Sequence, residues 1–281
     1  MVEDGLGTTA KNTWCPGCGN FAILSALQTV LKSLAAEGTS LENIVLVSGI
    51  GCHAKIVDYV NVNSFYSIHG RVTPVAEGIK TANPNLKVIG FAGDGDAYGE
   101  GLAHLVFAAK RNIDITMIIH NNRVYGLTTG QYTPTSPKSF KGRSTPYGTV
   151  EAPVNPLELM LASGATFVAR GYSRNLDLLK STLKAAITHK GFALVDVLQV
   201  CVTFFNLYET YNERVYELEG HDPLSYNKAL VQAREWDYNS DARIALGVLY
   251  TKTAPTFEEQ FPDARIEPEE RSKKIEELLR F

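Results

Sequence analysis

Leu86-Lys87-Val88-Ile89-Gly90-Phe91-Ala92-Gly93-Asp94-Gly95-Asp96 decides the reading of this 281-residue chain. An apolar, β-branched run ends there in an acidic glycine turn, the mark of a strand leaving a sheet. Gly101 to Arg111 follows with helical apolar spacing at Leu102, Leu105, Val106 and Ala109. A second apolar run, Ile115-Thr116-Met117-Ile118-Ile119-His120, then ends in Asn121-Asn122, with Val124 two residues on. A right-handed crossover makes these two strands parallel. Both turns then emerge at the carboxyl end of one sheet, where open α/β sheets bind ligands. Asp94 and Asn122 converge there as hard oxygen donors, suited to Mg²⁺ that keeps substrate phosphates among its ligands. The glycines let backbone N–H groups approach a diphosphate. Either turn alone is also an ordinary βα connection with acidic and amide caps. The pair on consecutive strands is the specific signal.

The alternation extends along the chain. Helices are predicted over Asn20–Ala36, Pro74–Ala82, Gly101–Arg111, Pro156–Ser163 and Leu176–His189. Strands are predicted over Asn43–Val47, Leu86–Ala92, Asp114–His120, Thr166–Ala169 and Phe192–Val200. This pattern gives an α/β fold with a doubly wound, mostly parallel sheet over residues 1–203, followed by a C-terminal extension over 204–281. The stretch from Thr128 to Pro156, rich in Pro, Ser, Thr and Gly, is too long for an ordinary connection and is expected to be functional or partner-covering. After Phe204 the chain turns aromatic and polar, with Tyr208, Tyr211, Tyr216, Trp236 and Tyr238. A charged helix, Glu267–Phe281, closes it and is expected to contact a partner.

A net charge of −3 leaves no basic footprint for nucleic acid. No apolar run approaches the roughly 20 residues of a membrane helix, and the first residues lack a basic-then-apolar leader, so a cytoplasmic protein is expected. The four cysteines, Cys15, Cys18, Cys52 and Cys201, then point to metal or redox roles rather than a disulfide framework. Trp14-Cys15-Pro16-Gly17-Cys18-Gly19 is a tight turn into a helix, whose N–H groups are expected to favour thiolates. Cys52 and Cys201 each follow a predicted strand. If those strands share the sheet of Asp94, all four thiols gather near the diphosphate site. Buried free cysteines, a four-thiolate zinc site and a [4Fe–4S] cluster are all compatible with this spacing, the last two equally so.

The Gly-Asp-Gly and Asn-Asn turns resemble the signature of thiamine diphosphate enzymes. That likeness implies Mg²⁺ held by Asp94, the Asn122 side chain and the Val124 carbonyl. The ordered series Trp-Cys-Pro-Gly-Cys-Gly, Gly49-Ile50-Gly51-Cys52, Ile68-His69-Gly70-Arg71, Gly93-Asp94-Gly95-Asp96 and Asn121-Asn122-x-x-Tyr125-Gly126-Leu127-Thr128 resembles the β subunit of 2-oxoacid:ferredoxin oxidoreductases. The match runs from about Trp14 to Cys201. It implies that the four cysteines hold a [4Fe–4S] cluster, and that Ile50, Gly51, Cys52, His53, His69, Gly93, Gly95, Asp96, Gly126 and Leu127 contact thiamine diphosphate. It also implies that Lys55 meets a substrate carboxylate, that His69 lies against the cofactor and that Leu127 packs beneath the thiazolium.

His53 and Glu100 depart from the small hydroxyl and apolar residues expected there, which affects substrate choice rather than the cofactor. The reaction implied is CoA-dependent oxidative decarboxylation of a 2-oxoacid, with 2-oxoglutarate slightly favoured over pyruvate and electrons passing to ferredoxin. No second thiamine-binding half is visible. An α subunit is therefore expected to supply the pyrimidine pocket and the activating glutamate, in a heterodimer or a dimer of heterodimers. The alternative is a subunit of a non-oxidative thiamine diphosphate lyase whose cysteine site holds zinc or nothing.

Overall fold

The structure, a computed structural model, describes residues 5–261 and 268–280. Eight α-helices are present among them: α1 (Asn20–Ala36), α2 (Val72–Ala82), α3 (Leu102–Arg111), α4 (Pro156–Ala162), α5 (Leu176–Thr188), α6 (Tyr208–Arg214), α7 (Tyr226–Glu235) and α8 (Pro268–Leu278). The strands are β1 (Ile44–Ser48), β2 (Asn63–Tyr66), β3 (Lys87–Gly93), β4 (Ile115–Asn121), β5 (Phe167–Tyr172), β6 (Ala193–Leu198), β7 (Val215–Glu217) and β8 (Ile244–Thr251). They form one sheet in the order β2-β1-β3-β4-β6-β5-β8-β7.

The apolar runs of the central strands are buried on both faces, as a parallel sheet between helices requires. Ile89, Phe91, Ile118 and Val195 meet Leu27 and Leu31 of α1 and Leu179 and Leu183 of α5 on one side. Val88, Ala92, Met117 and Leu194 meet Ala76 of α2, Leu105 of α3, Met160 of α4 and Ala233 of α7 on the other. Helix starts are set by short polar side chains. Asn155 accepts from the Glu158 N–H, Asn175 from the Leu178 N–H and Ser225 from the Lys228 N–H.

β1, β3, β4 and β6 are successive parallel neighbours, so their carboxyl ends lie side by side. Cys52, Asp94, Asn122 and Cys201 follow those four ends. The segment expected as an extension does more than extend. β8 runs antiparallel along β5, and β7 pairs with β8, so residues 215–251 complete the same sheet. Its aromatics are largely core: Tyr211, Trp236 and Tyr238 are buried with Tyr172, Leu198 and Val200.

β2 is a short edge strand, exposed throughout, which explains why no burial pattern marks it in the sequence. Between β3 and α3, where the sequence predicts an acidic glycine turn, the chain makes a wide π-helical turn, Gly95–Glu100. Residues 270–280, which take in most of α8, are exposed; Glu267 and Phe281, expected in that helix, lie outside the described residues.

Candidate active site

β3 delivers Asp94 into the interior, where it is 2% exposed. Thr135 Oγ1, from the long loop after β4, donates to Asp94 Oδ2 at 2.7 Å. Burial raises the Asp94 carboxyl to about 6, with Asp196 acting in the same direction and the Thr133 and Thr135 hydroxyls opposing. Two residues on, Asp96 accepts from His53 Nε2 at 3.1 Å and from the Gly70 N–H. A Cβ on Gly49 would stand 1.8 Å from Asp96 Oδ2, so only glycine lets the loop after β1 pass this carboxylate. A Cβ on Gly95 would stand 2.2 Å from the Tyr125 ring.

The turn after β4 is clamped from behind. Asn122 Oδ1 accepts from the Val124 N–H at 3.0 Å, which fixes the turn between the two residues. Arg123 between them takes a left-handed backbone at φ 61°. Its buried side chain donates to the Thr135 carbonyl at 2.7 Å and to the Tyr238 carbonyl, over the face of Trp236. A non-glycine residue persists in that conformation because its surroundings hold it there.

One cleft is lined by Ile50, Gly51, Cys52, His53, His69, Gly93, Asp94, Gly95, Asp96, Asn122, Val124, Gly126 and Leu127, together with Tyr125 and Thr128. It contains two carboxylates and no lysine or arginine. A diphosphate entering it therefore needs a divalent cation to offset the charge. Asp94, Asn122 Oδ1 and the Val124 carbonyl are hard oxygens of the kind Mg²⁺ takes. Asn122 keeps a second lone pair on Oδ1 beyond the bond to Val124. His69 lies at the mouth, 3.1 Å from Glu100 Oε2 and 3.8 Å from Asp96 Oδ1.

All four cysteines, unpaired by disulfides, line an adjoining cavity with Trp14, Asn20, Lys55, Asn122, Gly126, Gln199 and Phe204. Cys52, Asn122 and Gly126 form the common wall. A Cβ on Gly126 would stand 3.6 Å from Cys201 Sγ and 3.8 Å from Cys52 Sγ, so the loop after β4 presses against both sulfurs. Trp14 Nε1 donates to the Cys52 carbonyl at 2.6 Å and joins the two cysteine segments.

The expected thiolate bias at the start of α1 is outweighed. The Asn20 N–H favours the Cys18 thiolate, but burial pushes that thiol up to about 12. Burial and the neighbouring Cys201 raise Cys52 as well. Lys55 opposes the shift at Cys52. Lys55 opens onto this second cavity rather than the first, and its Nζ donates to Thr13 Oγ1 at 2.7 Å.

No sequence signal assigns a site role to Thr135 or Gln199. Asn20 lies beside the Cys-x-x-Cys turn, and Tyr125 and Thr128 lie within the motif after Asn122, but no role is read for them from the sequence.

The family described as thiamine pyrophosphate enzyme, C-terminal TPP binding domain, matches residues 49–197. The family described as the C terminal of the pyruvate ferredoxin oxidoreductase beta subunit matches residues 201–265. The chain is 46% identical over 268 residues to 2-oxoacid:ferredoxin oxidoreductase 1, subunit beta, of Aeropyrum pernix, covering 90% of this chain and 82% of that one. It belongs to the 2-oxoacid:ferredoxin oxidoreductase beta subunits.

A Saccharolobus solfataricus beta subunit of this family is 42% identical, with 90% and 86% of the two chains covered. The solved 2-oxoglutarate:ferredoxin oxidoreductase of Magnetococcus marinus, with 2-oxoglutarate, coenzyme A and succinyl-CoA bound, superposes with a TM-score of 0.85 at 33% identity. That alignment covers 98% of this chain and 89% of the other. As a beta subunit of this family, the chain is part of an oxidoreductase that acts with a partner subunit and carries a thiamine diphosphate-binding domain. Among the described residues no helix is long and apolar enough to cross a membrane.

Proposed function

We propose that this subunit binds thiamine diphosphate through Mg²⁺ on Asp94, Asn122 and the Val124 carbonyl, and a [4Fe–4S] cluster on Cys15, Cys18, Cys52 and Cys201. With its α subunit it oxidatively decarboxylates a 2-oxoacid, 2-oxoglutarate before pyruvate, to the acyl-CoA and passes electrons to ferredoxin. The observation that carries the reading is the shared wall. Cys52, Asn122 and Gly126 border both an acidic cleft fit for a metal-bound diphosphate and a cavity ringed by four thiols. When bound, thiamine diphosphate supplies the carbanion chemistry of decarboxylation and the cluster takes the electrons one at a time.

The chain's own residues position and screen. Asp94 and the 122–124 turn hold the cation, and His53 fixes Asp96 against the Gly70 N–H. Leu127, 49% exposed, and Ile50, 42% exposed, present apolar surface at the cleft mouth. That surface, with exposed Phe65, Tyr66 and Ile68 beyond it, suits cover by the α subunit, which would add the activating glutamate. A contact role for α8 fits its exposed, highly charged sequence. Among the described residues no three His, Cys, Asp or Glu side chains are grouped to hold a metal ion. Four thiols opening onto one cavity match the ligand set of a [4Fe–4S] cluster. The 2-oxoglutarate preference rests on Lys55 as a second cation near the shared wall. It gains weight from a Mycobacterium tuberculosis relative named 2-oxoglutarate oxidoreductase subunit KorB, 44% identical over 191 residues.

The test is anaerobic co-purification with the α subunit, followed by iron, sulfide and thiamine analysis and a screen of 2-oxoacids. Iron-dependent visible absorption that bleaches with 2-oxoglutarate and CoA, and iron loss in each cysteine-to-serine variant, are expected. Zinc in place of iron with intact decarboxylation would overturn the redox reading in favour of a non-oxidative lyase.

A further inference from the structure

Asn20, the first residue of α1, is 1% exposed and lines the thiol cavity two residues after Cys18. Its Oδ1 sits 2.8 Å from His120 Nδ1, while its Nδ2 has no partner among the described residues. A buried amide donor without an acceptor is a costly arrangement that native structures rarely leave standing. His120 explains the orientation. It is fully buried, and because an amide oxygen only accepts, its Nδ1 carries the N–H that Asn20 Oδ1 takes, while its Nε2 has no partner among the described residues. The reversed amide would place its donor on His120 and leave its oxygen as the unpartnered end.

We propose that Asn20 is a positioning residue for electron transfer, donating an N–H···S hydrogen bond from Nδ2 to a sulfur of the cluster and so raising the cluster's reduction potential. This rests on the cluster reading given above. The same wall already shows the interaction in kind, since Gln199 Nε2 donates to Cys18 Sγ at 3.4 Å. Reduction adds negative charge to the cluster, and an N–H aimed at sulfur stabilises the reduced state more than the oxidised one. His120 acts behind Asn20 by fixing which end of the amide faces the sulfurs.

The experiment is an EPR-monitored redox titration of the complete α–β complex carrying Asn20→Ala or the near-isosteric Asn20→Asp. Asn20→Ala is expected to lower the equilibrium constant for one-electron reduction about tenfold, which is ~59 mV more negative for a one-electron couple. Asn20→Asp, which replaces the donor with an acceptor, is expected to lower it further. A midpoint potential does not depend on how much protein is loaded, so incompletely assembled variants still report it. Reduced iron occupancy with an unmoved potential in both variants would show a purely structural role and overturn the proposal. Wild-type complex free of iron and sulfide would overturn the cluster reading itself; iron-loaded complex with unmoved variants would overturn Asn20 alone.

Discussion

Asn122 donates from Nδ2 to Gln199 Oε1 at 3.1 Å, tying the loop after β4 to the loop after β6. Gln199 Nε2 in turn reaches Cys18 Sγ at 3.4 Å and the Val200 carbonyl at 2.8 Å. One side-chain amide thus stands between a candidate Mg²⁺ ligand and a candidate cluster ligand while serving as neither. Gln199→Leu keeps the bulk and removes all three bonds. Mg²⁺–thiamine diphosphate affinity of the assembled complex should fall about fivefold, the scale of one lost hydrogen bond of about 1 kcal/mol. Calorimetry showing wild-type affinity would mean that Asn122 is held in place without Gln199.

Asp94 gives a prediction with a sign. Its carboxyl is raised from 3.8 to about 6 in the cofactor-free chain, and Mg²⁺ requires the carboxylate. Binding at pH 6 should therefore release about half a proton per site, and affinity should fall toward tenfold per pH unit below that. Isothermal titration in buffers of different ionisation enthalpy reads this directly. Equal heats in all buffers at pH 6 would contradict it.

The same shift predicts the stability of the empty protein. A raised carboxylate favours the native state below its unfolded value of 3.8, and that contribution is lost as the pH rises through about 6. Asp94→Asn removes the loss. At pH 8 the cofactor-free variant should be more stable than wild type by on the order of 1–2 kcal/mol while failing to retain thiamine diphosphate. A variant destabilised at pH 8 would show that the buried charge is already compensated.

Gly49→Ala should act through Asp96. The added methyl would lie 1.8 Å from Asp96 Oδ2, which is itself fixed by His53 and the Gly70 N–H. Overpacking of this kind typically costs about 1–3 kcal/mol. A lower melting temperature with weakened cofactor binding is expected; an unchanged melting temperature would mean the loop after β1 can retreat.

Lys55 separates substrates. Its Nζ rests on Thr13 Oγ1 and opens onto the thiol cavity, which shares a wall with the cleft. Lys55→Ile should lower kcat/KM for 2-oxoglutarate by roughly 10- to 100-fold, because a distal carboxylate loses a charge-assisted partner. Pyruvate turnover should change much less. Equal losses for both substrates would assign Lys55 to a step common to all 2-oxoacids.

The parts of the site that were legible in the sequence are those built locally. Asp94, Asn122 and Cys52 each follow a strand directly, so an apolar run and the turn after it suffice to place them. Thr135 and Gln199 act across the fold, through loops whose own composition shows no target. Tyr238 closes from further still, accepting Arg123 on its carbonyl and donating to Asp196 Oδ2 at 2.7 Å. β8 carries an apolar run, Ile244–Thr251, but nothing within that run marks its antiparallel place beside β5. β7, with three residues, is below the length at which periodicity exists.

The left-handed turn at Arg123 reaches beyond the metal site. Its guanidinium is anchored on the Tyr238 carbonyl, so the loop that presents Asn122 and Val124 is braced by a residue more than a hundred positions downstream. The two matched families meet near residue 200, yet the brace spans that junction. The junction between the two matched families is thus not a boundary in folding. Gene fission, circular permutation or domain grafting at that junction should yield a sheet whose cofactor loop relaxes, whereas cuts that keep 201–251 with the sheet should preserve it.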